Sequence, residues 1–144
     1  MPPRVRTLDE VDESRLLPWA LASAAEARTA LRHTLAGREV SDRTVDEAVQ
    51  VLSELVANAV QHGAPLAGDV IRAHWTLRKG VVEVDVTDAG GAHRPQPVRI
   101  TPWQTRGRGL RIVRAYAHEW GVLDQPAGIV VWASLGGPSR RRTR

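Results

Sequence analysis

Three polar side chains recur once per helical turn in the stretch SELVANAVQHG, residues 53–63: Glu54, Asn58 and His62. Residues four positions apart lie on one face of a helix. A carboxylate in such a row can orient or deprotonate a hydroxyl group, and an amide oxygen can help to hold a hard cation such as Mg²⁺. One carboxylate, one amide and one imidazole match no preferred metal ligand set by themselves. Taken alone, the row is more typical of a solvated helix face.

The second candidate is Asp88, which continues the alternation of valines in VVEVDVTD, residues 81–88. Alternate side chains of a strand share a face, so Asp88 is predicted to point toward the buried side of a sheet. A buried carboxylate is costly unless a cap, a basic group or a ligand satisfies it. Gly90 and Gly91 follow and let a ligand approach closely. A simple Asp-Ala-Gly-Gly turn explains the same residues, and the alternation does not decide between the two.

The third candidate is Gly107-Arg108-Gly109, which ends a long polar loop, residues 89–108, and precedes a helical pattern. Free N–H groups at a helix N-terminus favour an anion, and long loops in compact domains are often functional. A flexible helix entry with solvated arginines is the alternative. The order of the three candidates is more specific than any one of them. A helix carries Glu-x-x-x-Asn, a strand then ends in Asp-x-Gly, and Gly-x-Gly-Leu then opens a helix. Together these motifs would surround one nucleotide.

Hydrophobic periodicity predicts the elements that position these residues. Apolar residues at helical spacing and alternating residues at strand spacing indicate an α+β domain, a two-layer sandwich of a mixed β-sheet with helices on one face. We predict a mixed segment at 1–17 with a short strand near Val5. Helices are predicted at 19–36, opened by Pro18 and ended by Gly37, at 42–62, and at 109–120, ended by Gly121. Strands are predicted at 69–77 and 81–88, which form a hairpin, and at 129–135.

Composition limits the class of protein. The 144 residues suffice for one domain with a core. The sequence contains no apolar run of about 18 residues, which would span a membrane, and no secretory signal. The absence of cysteine excludes disulfides and thiolate metal sites and fits the cytoplasm, where we expect the protein.

The positive charge is concentrated at one end of the chain. The formal net charge is +4, and residues 139–144, SRRRTR, contain four arginines. We interpret them as a disordered, solvated tail rather than a nucleic-acid arm, because the rest of the chain shows no helix-turn-helix and no basic groove with interleaved aromatic residues. We therefore expect neither nucleic acid nor a membrane as a partner.

With these three motifs in this order, the chain resembles the GHKL superfamily of ATP-binding domains, found in gyrase, heat-shock chaperones, histidine kinases and mismatch-repair ATPases. SELVANAVQHG resembles the N box, DVTDAGG (85–91) the G1 box and GRGL (107–110) the G2 box. More closely, the chain is similar to RsbW-like anti-sigma factor serine kinases. The segments EWG (119–121) and GIVVW (128–132) also resemble sequences of this subfamily. The resemblance implies the Bergerat fold and divides the chain into an N-terminal segment (1–14), a histidine kinase-like ATP-binding domain (15–137) and a basic tail (138–144).

The resemblance also implies roles for single residues. Asn58 would coordinate the Mg²⁺ that bridges the ATP phosphates, and Glu54 would act as general base or orient the attacking hydroxyl. Asp88 would accept a hydrogen bond from the adenine amino group, and Gly90 would leave room for the base. Gly107 and Gly109, with Arg108 and Leu110 in the same box, would wrap the phosphates under a lid formed by residues 93–106. For His62 the resemblance implies no chemical role, and we expect helix-end packing.

Two positions depart from the family pattern. Related proteins often have threonine, which helps to fix a water at the adenine, where this chain has Val130. They also often have a further glycine where Ala92 stands. We therefore expect reduced adenine affinity, while Asp88 and both G2 glycines still favour binding.

The leading hypothesis is an ATP- and Mg²⁺-dependent protein serine/threonine kinase that is also an anti-sigma factor. Its partners would be a sigma factor and an anti-anti-sigma protein of the STAS type, and the resemblance makes a homodimer a further expectation. The alternatives are an ATP-binding regulatory module without kinase activity and an ATP-independent interaction module. A histidine kinase would need a phosphoacceptor hairpin, for which residues 1–18 are too short, and gyrase- and repair-type ATPases need a following transducer domain.

Overall fold

The computed structural model of the chain describes residues 9–90 and 110–137. Within these residues the chain forms three helices and five strands. In chain order they are β1 (Val11–Pro18), α1 (Ala22–Leu35), α2 (Asp42–His62), β2 (Val70–Arg78), β3 (Val81–Asp88), α3 (Arg111–Tyr116), β4 (Glu119–Gln125) and β5 (Gly128–Leu135).

The five strands form one sheet in the order β1-β2-β3-β5-β4. The predicted α+β sandwich is confirmed, but every pairing among the described strands is antiparallel, whereas we expected a mixed sheet. The reason lies in the connections. Tight hairpins join β2 to β3 and β4 to β5, and a hairpin makes neighbouring strands antiparallel. β4 runs in the same direction as β3, but β5 lies between these two strands, so they do not form a parallel pair.

Alternation along the strands separates an apolar face from a polar face, as predicted. The cross-strand pair Trp75 and Val84 is fully buried, whereas the next pair, His74 and Asp85, points to the other side of the sheet. Burying a side chain such as valine or leucine contributes about 1.5–3 kcal/mol, so this face holds the sandwich together. The buried apolar residues of β2, β3 and β5 are Ile71, Ala73, Trp75, Leu77, Val82, Val84, Val86, Ile129, Val131, Ala133 and Leu135.

The long helix α2 lies across this apolar face and contacts β2, β3, β5 and the other two helices. Its start and end agree with the prediction. The Ser41 hydroxyl accepts a hydrogen bond from the Thr44 N–H at 3.0 Å, which satisfies one of the free donors of the first turn. Gly63 follows the last helical residue, His62, and its N–H donates to the Ala59 carbonyl at 2.7 Å. Glu54, Asn58 and His62 therefore lie on a helix that is anchored at both ends.

The hairpin turn is also as predicted. Lys79 and Gly80 separate the paired residues Arg78 and Val81, and both have positive φ, 51° and 78°. Two-residue hairpins with positive φ at both central positions follow the twist of the flanking strands. The turn therefore places β3, and with it Asp88, in register with β2.

The first helix prediction was wrong at its start, because β1 was missed. Pro18 ends β1 instead of opening a helix, and α1 begins at Ala22. The strand pairs along its whole length with β2, from Val11 opposite Leu77 to Pro18 opposite Val70, and it crosses the predicted boundary between residues 14 and 15. An edge strand tolerates charged residues and proline because only one of its sides is paired.

The last helix prediction was wrong at its end. α3 stops at Tyr116, and residues 119–121, EWG, begin β4. His118 already donates its N–H to the Ser134 carbonyl of β5 at 3.0 Å. Gly121, predicted as a helix stop, lies in the strand against the ring of Trp132, where an added Cβ would be 2.9 Å from Nε1. The strand replaces the helix because sheet pairing outweighs local helix propensity.

Several predictions lie outside the described residues: the strand near Val5, most of the loop at 89–108 and the basic tail at 138–144. In the described part of the chain, no helix is long and apolar enough to cross a membrane.

Candidate functional site

Asp88 is the last residue of β3 and is 1% exposed. It lies on the same face as Val86 and Val84, so the predicted orientation toward the buried side is confirmed. The Gly90 N–H donates a hydrogen bond to Oδ1 of Asp88, and Gly90 has a φ of 86°, which suits glycine. The Asp88 carboxylate is therefore both buried and bonded to the residue two positions further on, as a turn-initiating aspartate is.

The polar row on α2 is not a uniformly solvated face. Asn58 is buried, at 4% exposed, whereas Glu54 is partly buried and His62 is exposed. Among the residues that the structure describes, the side-chain nitrogen of Asn58 has no hydrogen-bond partner. A buried amide with an unmet donor is costly, so it is expected to serve a ligand or another polar group. The exposure of His62 argues against the packing role that we expected for it.

Glu54 lies one turn before Asn58, at the edge of the buried region. Burial raises the pKa of its carboxyl group above the ordinary value of 4.5. A carboxylate with a raised pKa binds a proton more readily, because desolvation disfavours its charged form. This is the direction that suits a group that takes a proton from a hydroxyl.

The end of β3 and the C-terminal end of α2 are joined directly. The Ala89 N–H donates to the Ala64 carbonyl at 2.8 Å, so the residue after Asp88 is bonded to the segment just after α2. The Cα of Gly63 faces the Asp88 carboxylate: a Cβ built there would lie 2.6 Å from Oδ1. The structure thus brings two of the three predicted motifs together at one end of α2.

The third motif is only partly described. Gly107, Arg108 and Gly109 lie outside the described residues, as do Ala92 and the proposed lid at 93–106. Leu110 is described: it precedes α3, is 3% exposed and belongs to the hydrophobic core. The helix that follows Leu110, α3, packs against the Asn58-bearing helix α2.

The strand register shows to which face of the sheet the side chain of Val130 points. Val130 pairs with Thr87, and Asp88 pairs with Ile129. Since paired residues of neighbouring strands share a face, Val130 points to the side opposite to Asp88, and Ile129 is the neighbour of the carboxylate on its own face. Our expectation that Val130 reduces adenine affinity therefore gains no support from the register.

A metal site made by the protein alone is not present in residues 9–90 and 110–137, where no group of three or more His, Asp or Glu side chains could hold an ion. A Mg²⁺ ion at Asn58 would therefore need phosphate oxygens and water for most of its ligands, as Mg²⁺ commonly does. In that case the amide oxygen of the buried Asn58 would be the atom that contacts the ion.

Sequence reasoning missed two glycines that adjoin Asp88. Gly63 faces the carboxylate, and Gly128 faces the main chain, where an added Cβ would lie 2.2 Å from the Asp88 carbonyl oxygen. Gly63 was visible only as the end of a helix and Gly128 only as part of a family-like stretch. Neither contact can be read from the chain because the partners are distant in sequence.

The fold and the site define a known class of domain. The family model for the histidine kinase-like ATPase domain matches residues 17–135, and the chain belongs to this family. No curated protein matches the chain.

Within the family, the predicted resemblance to RsbW-like proteins is confirmed. The chain is similar to the crystal structure of the RsbU and RsbW domains of Rv1364c from Mycobacterium tuberculosis, with 25% sequence identity and a TM-score of 0.64. The match covers 90% of this chain and 34% of that chain, so this chain spans about a third of that structure's length.

Proposed function

We propose that the chain is an ATP-binding regulatory protein that acts as an anti-sigma factor and as a protein serine/threonine kinase. It would bind ATP with Mg²⁺, sequester a sigma factor and phosphorylate an anti-anti-sigma partner of the STAS type. Family membership and the similarity to a structure with an RsbW domain support this proposal. The observation that carries it is the buried carboxylate of Asp88 beside the helix that holds Glu54 and Asn58.

The position of Asp88 suits the recognition of adenine. An ionised carboxylate only accepts hydrogen bonds, and adenine presents an amino donor where guanine presents a carbonyl oxygen. Asp88 is almost completely buried, so its interaction with a base would be poorly screened by water. Guanine would leave the carboxylate facing an acceptor, and a site built for one hydrogen-bond pattern rejects the other strongly. We therefore propose selectivity for ATP over GTP, with Gly90 leaving room for the base.

Asn58 and Glu54 would serve the phosphate end of the nucleotide. Asn58 would hold Mg²⁺ through its amide oxygen, and Mg²⁺ neutralises charge on the phosphates when bound. Glu54 would take the proton of the partner's hydroxyl as that oxygen forms its bond to the γ-phosphorus and ADP leaves. The raised pKa of Glu54 supports this assignment.

The phosphate-wrapping role of Gly107, Arg108 and Gly109 stays part of the proposal, since these residues lie outside the described ranges. Leu110 adds one supporting observation. Its side chain is buried in the core at the start of α3, so it would anchor the end of the G2 box rather than contact the nucleotide through its side chain.

An ATP-binding module without kinase activity is the second candidate. Its support was Val130, which we took to impair the adenine site. The register turns the side chain of Val130 away from Asp88, which weakens that support. Homodimerisation, expected from the family resemblance, and a cytoplasmic location, expected from the absence of cysteine, complete the proposal.

The proposal is tested by isothermal titration of the purified chain with ATP and Mg²⁺, beside Asp88→Asn. We expect saturable binding that the variant loses, because the amide replaces the charged acceptor. Transfer of label from γ-labelled ATP to a STAS-type partner then tests the kinase activity, with Glu54→Gln as the inactive control. A well-folded wild-type chain that binds no ATP contradicts the whole proposal; binding without transfer to any such partner would favour the module without kinase activity.

A further inference from the structure

We propose that Gly63 is a positioning residue for the Asp88 carboxylate, and that it determines how well the site distinguishes adenine from a purine without the 6-amino group. The inference deepens the proposed function and rests on it. Gly63 would not touch the nucleotide. It would act by leaving free the space in which the carboxylate lies.

The contact between the two residues leaves no room for a side chain. A Cβ on Gly63 would lie 2.6 Å from Oδ1, 2.7 Å from Cγ and 2.8 Å from Oδ2 of Asp88, all closer than the 3.0 Å that real Cβ atoms respect. The backbone of Gly63 does not itself demand glycine, because its φ of −98° is accessible to all residues. Space alone, and specifically the space taken by the carboxylate, explains the glycine.

The carboxylate cannot easily move aside. Asp88 has a short side chain and is 1% exposed, and its Oδ1 accepts the hydrogen bond from the Gly90 N–H. Its main chain is paired with Ile129 in β5. A methyl group at position 63 must therefore change the rotamer of Asp88 and disturb the bond to Gly90, or push the two segments apart. The second route strains the 2.8 Å bond from the Ala89 N–H to the Ala64 carbonyl.

Both routes shift the base-binding group relative to the phosphate end of the site. Gly63 directly follows α2, and its N–H bonds to the Ala59 carbonyl in the turn that contains Asn58. The Gly63–Asp88 contact therefore sets the spacing between the proposed metal ligand and the proposed adenine acceptor. A shift at the carboxylate would weaken a hydrogen bond to the base, because such bonds weaken with distance and angle.

Gly128 is a poorer probe of this idea. It also adjoins Asp88, but its φ of 146° disfavours any other residue, and its contact is with the main chain. An alanine at Gly128 would combine backbone strain with steric conflict. Gly63→Ala changes only the space beside the carboxylate.

The test compares ATP with purine riboside 5′-triphosphate, which lacks the amino group, by titration in Mg²⁺ with the wild-type chain, Gly63→Ala and Gly37→Ala. Gly37→Ala is the control for a destabilising glycine substitution away from the carboxylate, because a Cβ added there meets nothing within 4 Å and its φ of 75° carries backbone strain. We expect Gly63→Ala to lower ATP affinity about tenfold and the affinity for the analogue much less, since only ATP uses the carboxylate. Gly37→Ala should leave the affinity ratio unchanged.

Two results overturn the inference: a Gly63→Ala variant with wild-type ATP affinity, and one that loses affinity for both nucleotides equally. The latter would show that the glycine serves only the general structure. A wild-type chain that binds no ATP is a different outcome, visible without any variant, and it contradicts the proposed function itself.

A second measurement needs no nucleotide and covers the case in which Gly63→Ala does not fold. The melting temperatures of Gly63→Ala, Asp88→Ala and the double variant form a cycle. Removing the carboxylate makes space for the new methyl group, so the loss in melting temperature caused by Gly63→Ala should largely disappear in the Asp88→Ala background. An equal loss in both backgrounds means that Gly63 does not act through Asp88.

Discussion

Nδ1 of His74 lies 2.7 Å from Oδ2 of Asp85, its cross-strand neighbour on the face of the sheet opposite to α2. The other ring nitrogen, Nε2, lies 2.7 Å from Oδ1 of Asp12 in β1. The imidazole thus links β1 and β3 through β2, and Arg72 approaches Asp85 at 3.9 Å from the same strand as His74. Both ring nitrogens can donate only when the ring is protonated, so the link is strongest in that state.

Stability should therefore depend on the charge of His74. Burial lowers the pKa of this residue, but the hydrogen bonds and charges of Asp85 and Asp12 outweigh it, and the pKa is raised above 6.5. A raised pKa in the folded state means that the contribution is fully present below the unfolded value and is lost as the pH rises through the folded value. We expect the free energy of unfolding to fall by about 1 kcal/mol or less over this range, because Asp12 is partly solvent-exposed.

Urea unfolding at a series of pH values from about 5.5 to 8.5 checks this prediction, with His74→Gln as the comparison. The decline in the free energy of unfolding around neutral pH should be smaller in the variant, because glutamine at position 74 does not titrate. An equal decline in both chains would assign it to another group.

Asp88→Asn should separate nucleotide binding from stability. The variant keeps an oxygen that can accept the Gly90 N–H bond but removes a buried charge, which is costly in the absence of a ligand. We expect the melting temperature without nucleotide to be equal to or higher than that of the wild-type chain, while ATP affinity falls about tenfold or more. Calorimetry and titration of the same sample measure both. A variant that is destabilised and has wild-type affinity would contradict the role of Asp88 in binding.

Glu54→Gln should lower phosphoryl transfer about a hundredfold or more and leave ATP binding nearly unchanged, because a general base acts on the hydroxyl and not on the nucleotide. The raised pKa of Glu54 adds a pH signature. Transfer by the wild-type chain should fall as the pH drops through this raised pKa, at higher pH than for an ordinary glutamate. Single-turnover transfer rates across pH test both statements, and loss of ATP affinity equal to the loss of rate would speak against a base.

Val130→Thr should not improve ATP affinity. The register places Val130 opposite Thr87 and on the other face from Asp88, so a hydroxyl at Val130 would not reach the carboxylate's side of the sheet. We expect titration to give an affinity within about twofold of the wild-type value, as is usual for independent sites. A clear gain in affinity would show that residue 130 does take part in the adenine site.

The parts of the fold that were predicted correctly are those whose periodicity is strong and local. α2 has a long apolar stripe with Ser41 and Gly63 at its ends, and the β2–β3 hairpin alternates on both sides of its turn. The edge strands β1 and β4 were missed. Their sequences, VDESRLLP and EWGVLDQ, are charged and largely exposed, because an edge strand is paired on one side only.

The sequence by itself determined the kinds of group in the candidate site, their order along the chain and the direction in which Asp88 points, since side-chain alternation follows from the backbone of a strand. Only the tertiary structure decided that Asn58 is buried, that Gly63 adjoins the Asp88 carboxylate and that Val130 faces away from it. These relations depend on strand register and on the packing of α2 against β3. They join residues far apart in the chain, so no local pattern records them.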